Sequence, residues 1–277
     1  MSNNFISFFI EPLSNTFFIR GMISAIFVMF GGAILGFGVI TRRYSYLGQG
    51  VSQSMLAGVA VGILVGASPI LAAFLAALLS AVLIAQLSRV RGLGTDASVA
   101  IVASSAMSIG VIIISADRSR AVNLNNLLFG NILGVNWSEV VILGGSVLLA
   151  IIFTLAQSRK LALSAISPTV AEAHGINIKK IELLRLITLS LVTAAAVQIV
   201  GVTLVVAALV IPAASASLLA RTLGSLYVIA SIFALLIGVL GLYISYWYDL
   251  ASGPAVVVTG TALYSFVLLI NNLRNKS

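Results

Sequence analysis

The chain reads as an all-α membrane protein, a polytopic bundle of eight or nine transmembrane helices built by residues 1–277 as a single domain. Its residues are 60% hydrophobic and 8% charged, with a mean hydropathy of +1.17, so a water-soluble surface cannot be assembled from them. Apolar runs repeatedly reach the ~20 residues that cross a hydrocarbon core as a helix. Short clusters of Lys and Arg punctuate those runs, as orientation signals do.

Taken in order, the runs cover 18–40, 51–66, 69–88, 97–116, 138–157, 184–203, 204–220, 225–246 and 255–272. The second is short and the sixth and seventh are almost continuous, so one segment there is expected to be re-entrant or the count to fall to eight. Ahead of the first run, residues 1–17 carry Phe5, Ile6, Phe8, Phe9 and Ile10 and read as a segment lying on the bilayer surface. That stretch lacks the basic start and small-residue cleavage site of a signal peptide. Gly58, Gly62 and Gly66 repeat at intervals of four, as do Gly32 and Gly36, a spacing that lets helix backbones approach closely in lipid.

The net charge of +8 would point to nucleic acid in a soluble protein, but these cations flank apolar segments and imply no nucleic-acid partner. Placing Arg42, Arg43, Arg89, Arg91, Arg159, Lys160, Lys179, Lys180, Arg185, Arg221, Arg274 and Lys276 in the cytoplasm leaves Arg20, Arg118 and Arg120 outside. The N-terminus is then outside and the C-terminus cytoplasmic, in an inner or plasma membrane. Cysteine is absent, which excludes disulfides, thiolate chemistry and Cys-ligated metal.

The largest cytoplasmic segment, about 158–185, contains Ser167-Pro168 followed by Ala171-Glu172-Ala173-His174-Gly175. Ser167 suits a helix cap, Pro168 a first helical position, and Gly175 a left-handed stop. A helix of about two turns is too short to stand alone in water, so it either docks on a partner or packs as an ordinary structured loop.

Ala171 to Gly175, Gln198-Ile199-Val200-Gly201-Val202 and Ala207 to Ala216 together resemble the permease subunits of zinc and manganese ABC importers. Leu128-Phe129-Gly130-Asn131-Ile132-Leu133-Gly134 and Asp249-Leu250-Ala251-Ser252-Gly253-Pro254 are similar to two further signatures of that family, in the same order, and the likeness runs from about Glu11 to Leu273. The resemblance implies a type II ABC importer-like permease in which Pro168, Ala171, Glu172, Ala173, His174 and Gly175 form the coupling helix that contacts a separate ATPase subunit. It also implies an extracytoplasmic solute-binding protein and a second permease copy, a homodimer, in addition to membrane lipids. The chain carries no G-x-x-x-x-G-K-[ST] sequence, so it binds no cofactor of its own and ATP belongs to the partner subunit.

The family's second span opens approximately Gly-Asp-Ala-hydrophobic-Ser-His, and that Asp and His are associated with cation passage. Here the stretch reads Gly48-Gln49-Gly50-Val51-Ser52-Gln53. Two glutamines four residues apart share a helix face and present neutral oxygens, weaker divalent-ion donors than carboxylate and imidazole. Three readings stand: the pore still passes zinc or manganese, it passes another, non-metal solute, or the permease is degenerate.

Other polar residues divide in the same way. Gln198 lies inside a span, as a pathway residue or an interhelical hydrogen-bonder. Asp249 at the outer end of the eighth run either builds the turn with Ser252-Gly253-Pro254 or meets the incoming ion. Asn131 is a turn residue or lines the pore; Pro212 kinks its helix or frees carbonyls toward a cavity. Asp96 is expected to cap a helix start. His174, the single histidine, reads as part of the subunit contact, and Glu172 as a salt-bridge candidate on the same surface. The metal site itself is left unassigned. All seven acids fall near segment ends, which argues against an ion-gradient transporter. With one histidine and no paired carboxylates in a span, enzyme chemistry lacks its groups.

Overall fold

The computed structural model describes residues 11–41, 46–90, 92–116 and 132–274. Among them are nine long helices: α1 (Thr16–Thr41), α2 (Leu47–Val65), α3 (Pro69–Leu87), α4 (Thr95–Ala116), α5 (Trp137–Ala156), α8 (Ile178–Val200), α9 (Val202–Ser217), α10 (Leu223–Trp247) and α11 (Ser252–Arg274). Two short helices, α6 (Ser158–Ile166) and α7 (Pro168–Ala173), stand between α5 and α8. Each of the nine apolar runs is a helix, and eight of the nine are long and apolar enough to span a membrane; α9 is the shorter one. The Phe-rich residues 5–10 and the Leu128 to Asn131 part of the fourth signature lie outside the described residues.

Helix ends follow local chemistry. Ser68 accepts from the Leu71 amide ahead of Pro69, Asn177 accepts from Lys180, and Thr222 accepts from Ser225, so the α3, α8 and α10 starts are capped by side chains. At α5, the Asn136 amide donates to the Glu139 carboxylate. Gly66, the third glycine of its repeat, is the left-handed stop of α2 at φ 75 rather than a packing site.

Along most of α3, side-chain size is sorted inversely to a helix of a soluble protein. On α3 the small residues Ala73, Ala77, Ser80, Ala81 and Ala85 face the protein, whereas Leu71, Leu75 and Leu79 are about 60% exposed along the outer stripe. In lipid the leucines gain nothing by burial against protein, and helices associate through close backbone approach. A Cβ on Gly32 would stand 2.5 Å from the Ala208 carbonyl oxygen, and one on Gly58 2.5 Å from that of Ala72. Pro212, buried inside α9, has no N–H to offer that Ala208 carbonyl four residues back.

The glycine contacts also fix helix directions. Gly31 meets Val147 and Gly144 meets Phe27, so α1 and α5 are parallel; Gly32 meets Ala208 and Gly36 meets Ala213, so α9 is parallel to α1 as well. Gly50 faces Val99 and Gly110 faces Ala57, making α2 and α4 parallel, with α3 antiparallel to α2 through Gly58 and Gly62. Gly238 against Met29, with Phe18 against Tyr243, sets α10 antiparallel to α1, and Gly241 against Val256 joins α11 beside it. The ends of α1, α3, α5, α9 and α11 and the starts of α2, α4, α8 and α10 therefore share one face of the bundle with α7. The start of α1 and the turn between α10 and α11 share the other, so the first and last described helix ends lie on opposite faces.

Between α8 and α9 the chain breaks at the single residue Gly201, buried, with φ 82 and ψ 166. That region of backbone space is essentially confined to glycine, which explains how two nearly continuous apolar runs become two helices without a loop.

Candidate substrate pathway and coupling surface

Gln49 and Gln53 occupy the first two turns of α2, Gln49 exposed and Gln53 half-buried. Their neighbours fix that orientation. Gly50 is buried against α4, where a Cβ would lie 2.8 Å from Val99, and Gly48 is buried against Val205, Val206 and Leu209 of α9, so both of these sides of α2 are packed. Ser52 and Ser54 donate to the carbonyls of Gly48 and Gly50 at 2.6 and 3.0 Å, which satisfies both buried hydroxyls within the helix. The glutamines are left to line a cleft of about 510 Å³ between α2 and α4, together with Tyr46, Asp96 and Ser104. The shared face expected from the four-residue spacing is realised.

Asp96 stands at the helix start the sequence predicts, and the structure adds a cleft in front of it. It stands second in α4, and Gly94 occupies the capping position, its carbonyl accepting from both the amide and the hydroxyl of Ser98. The Asp96 carboxylate is exposed and opens onto the cleft. Its place is set by α2 and α4 running parallel, a fact of tertiary packing that no local motif announces.

Gln198 lies on the last turn of α8, half-buried on a stretch where residues 192–197, 199 and 200 are all buried. It stands one turn before Gly201 and does not line the α2–α4 cleft. Asp249 is at the opposite end of the bundle, exposed in the α10–α11 turn with φ 50, while Ser245 donates to the Leu250 carbonyl and holds that turn closed. The structure thus brings Gln49 and Gln53 together and leaves Gln198 and Asp249 at other depths. A second cleft, about 550 Å³ between α2, α3 and α4, is walled by Val61, Leu75, Leu79, Leu83, Ile101 and Ile109 and offers little to a polar solute.

At the same end as the polar cleft, α7 projects between α6 and α8. Ala171 is fully buried, whereas Glu172, Ala173, His174 and Gly175 are exposed. The helix closes as its glycine foretells: Gly175 has φ 72 with open space around it, its amide donates to Glu172, and the Ile176 amide donates to Ala171. His174 Nδ1 donates to the Val170 carbonyl at 2.8 Å, which leaves Nε2 free to face outward. Ser167 holds the capping position without a side-chain cap hydrogen bond, and Pro168 opens the helix. Arg89, after α3, donates to the Lys179 carbonyl at 3.3 Å and ties that loop to the start of α8. Arg185, counted among the loop cations by sequence, is 6% exposed; it lies against α1 at Gly38 and 3.8 Å from Glu182 one turn earlier. Among the described residues no group of three or more His, Cys, Asp or Glu side chains converges as a metal site.

Comparison with known proteins places these features in context. The manganese transport system membrane protein MntC of Halalkalibacterium halodurans is 31% identical over 97% of this chain and 92% of its own length. The high-affinity zinc uptake system membrane protein ZnuB of Haemophilus influenzae is 32% identical over 84% of this chain and 89% of its own. Among solved structures, PsaBC from Streptococcus pneumoniae in complex with Fab includes a chain that superposes with a TM-score of 0.81 at 29% identity, covering 95% of each chain. The ABC 3 transport family matches residues 14–271, and this multi-pass membrane protein belongs to that family.

Proposed function

We propose that the chain is the membrane-spanning permease subunit of an ATP-driven importer that carries a divalent metal cation, manganese or zinc, across the cytoplasmic membrane. The observation that carries this reading is likeness along nearly the whole chain to metal permeases, 31% identity over 97% of it for the manganese protein. Two geometric features support it. A polar cleft and the exposed surface of α7 open at one end of an otherwise apolar bundle. The described cations Arg89, Arg159, Lys160, Lys179, Lys180, Arg185, Arg221 and Arg274 also belong to that end, against Arg20 at the other, a bias that supports a cytoplasmic location for it.

In this reading the exposed Glu172, Ala173, His174 and Gly175 form the surface gripped by a separate ATPase subunit, with Ala171 buried beneath them as the anchor of α7. Nucleotide-driven closure of that subunit tilts α7, and α6 and α8, which flank it, transmit the movement into the bundle. The pathway then alternates between faces, with Asp249 and its turn at the end that receives cargo from a solute-binding protein. A second copy of the chain completes the pore.

The test is uptake of radiolabelled manganese and zinc by cells lacking their own importers and supplied with the chain, its ATPase and its binding protein. Accumulation that requires all three components is the expected result, and the Gln49→Ala, Gln53→Ala double variant is expected to lower its rate several-fold. Absence of metal uptake with all three present would remove the metal reading in favour of a non-metal cargo. A double variant at the parental rate would take both amides off the route.

A further inference from the structure

We propose that Asp96 supplies the negative charge of the cation route in the α2–α4 cleft, acting with the amide oxygens of Gln49 and Gln53, and that this oxygen set suits a hard divalent ion of the manganese type. The inference rests on the metal-permease reading and adds to it the residue that confers charge and the ion class it favours.

The case begins with the ends of two helices. Because α2 and α4 are parallel, both direct their N-termini to the same end of the bundle, where the cleft opens. Each N-terminus carries roughly +0.5 of an elementary charge, so together they set about one positive charge at the mouth. Gln49, Gln53, Tyr46 and Ser104 are neutral and cannot offset it. Among the described residues Asp96 is the single carboxylate lining the cleft, and its charge opposes the positive ends of the two helices. Without it the described lining holds no negative charge; with it an anionic oxygen ligand becomes available at the mouth.

The state of the polar groups agrees. Asp96, Gln49 and Gln53 each form no hydrogen bond or ion pair with other described residues, so their oxygens are not spent on holding the fold. Asp96 does not serve as the α4 cap, since Gly94 has that place. The lining offers carboxylate, amide and hydroxyl oxygens and neither imidazole nor thiolate. Carboxylate and carbonyl donors suit manganese and magnesium, whereas zinc is better served by nitrogen and sulfur. The cleft reaches from the first turn of each helix to Ser104, about 12 Å along α4 from Asp96 at ~1.5 Å per residue, deep enough to take an ion below the surface.

The experiment uses the complete importer and the initial rate of radiolabelled manganese uptake, with excess zinc or magnesium as competitor. Asp96→Asn is expected to raise the KM for manganese at least tenfold, and Asp96→Glu to stay near the parental value. The relocated carboxylate of the Asp96→Asn, Gln49→Asp double variant is expected to recover most of the loss, which a structural role for Asp96 would not allow. Asp96→Asn with an unchanged KM, while the parental protein transports manganese, would overturn the inference and leave the metal reading intact. Loss in Asp96→Asn without recovery in the double variant, both reaching the membrane at parental levels, would also overturn it. Zinc competing better than manganese would refute the assignment of ion class. A parental importer that moves no metal would overturn this inference and the metal reading together.

Discussion

Single glycines decide where this bundle can close. Gly32 faces the Ala208 carbonyl with 2.5 Å between that oxygen and the position a Cβ would take, whereas nothing lies within 4 Å of such an atom on Gly145. Both are glycines inside membrane helices, and their sequence surroundings are similarly apolar. Gly32→Val is expected to destabilise the purified protein by about 2 kcal/mol or more through overpacking against backbone that cannot yield. Gly145→Ala is expected to be neutral or to gain up to about 1 kcal/mol of helix propensity. Thermal unfolding in detergent separates the two, and equal effects would contradict the packing described for α1 and α9. The four-residue spacing made Gly32, Gly36, Gly58 and Gly62 legible as packing sites. Gly66 shares that spacing, but its role depends on where α2 ends. Asp96 and Arg185 were harder still: each is interpreted by a neighbour from a distant helix, and charge alone cannot distinguish a cap or a loop cation from a cleft-lining or buried group.

At the scale of elements, hydropathy revealed all nine apolar helices because crossing a bilayer imposes a length, and length survives in sequence as a count of apolar residues. It did not show α6, whose sequence SRKLALSAI is too polar to register as a span. The α8–α9 junction was visible as an ambiguity and is resolved by one backbone conformation. Gly201→Ala forces a side chain into φ 82, ψ 166, at a cost of about 1–3 kcal/mol, and should lower the unfolding temperature; an unchanged value would mean that the break is not fixed at this residue. Gly175 presents the opposite case, with φ 72 but open surroundings. Gly175→Trp is expected to reduce uptake several-fold while the protein still reaches the membrane, because the left-handed stop of α7 is strained and its exposed face is blocked. Gly175→Asn, which tolerates that conformation, is expected to retain most of the activity. Parental uptake by the Trp variant would remove α7 from the drive.

Across the whole molecule, the two faces of the bundle differ in kind. One gathers the described cations other than Arg20, the polar cleft and α7; the other holds the α10–α11 turn with Asp249 and the ring contacts of Phe18 with Tyr243 and Tyr246. The account depends on the first face being cytoplasmic, where an ATPase can reach it. Because the chain has no cysteine, sidedness can be read with single introduced thiols and a membrane-impermeant maleimide. In intact cells or right-side-out vesicles, Asp249→Cys should be labelled and His174→Cys protected until the membrane is opened. Labelling of His174→Cys from outside, with Asp249→Cys protected, would place α7 beyond the reach of any cytoplasmic ATPase and contradict the account at its centre.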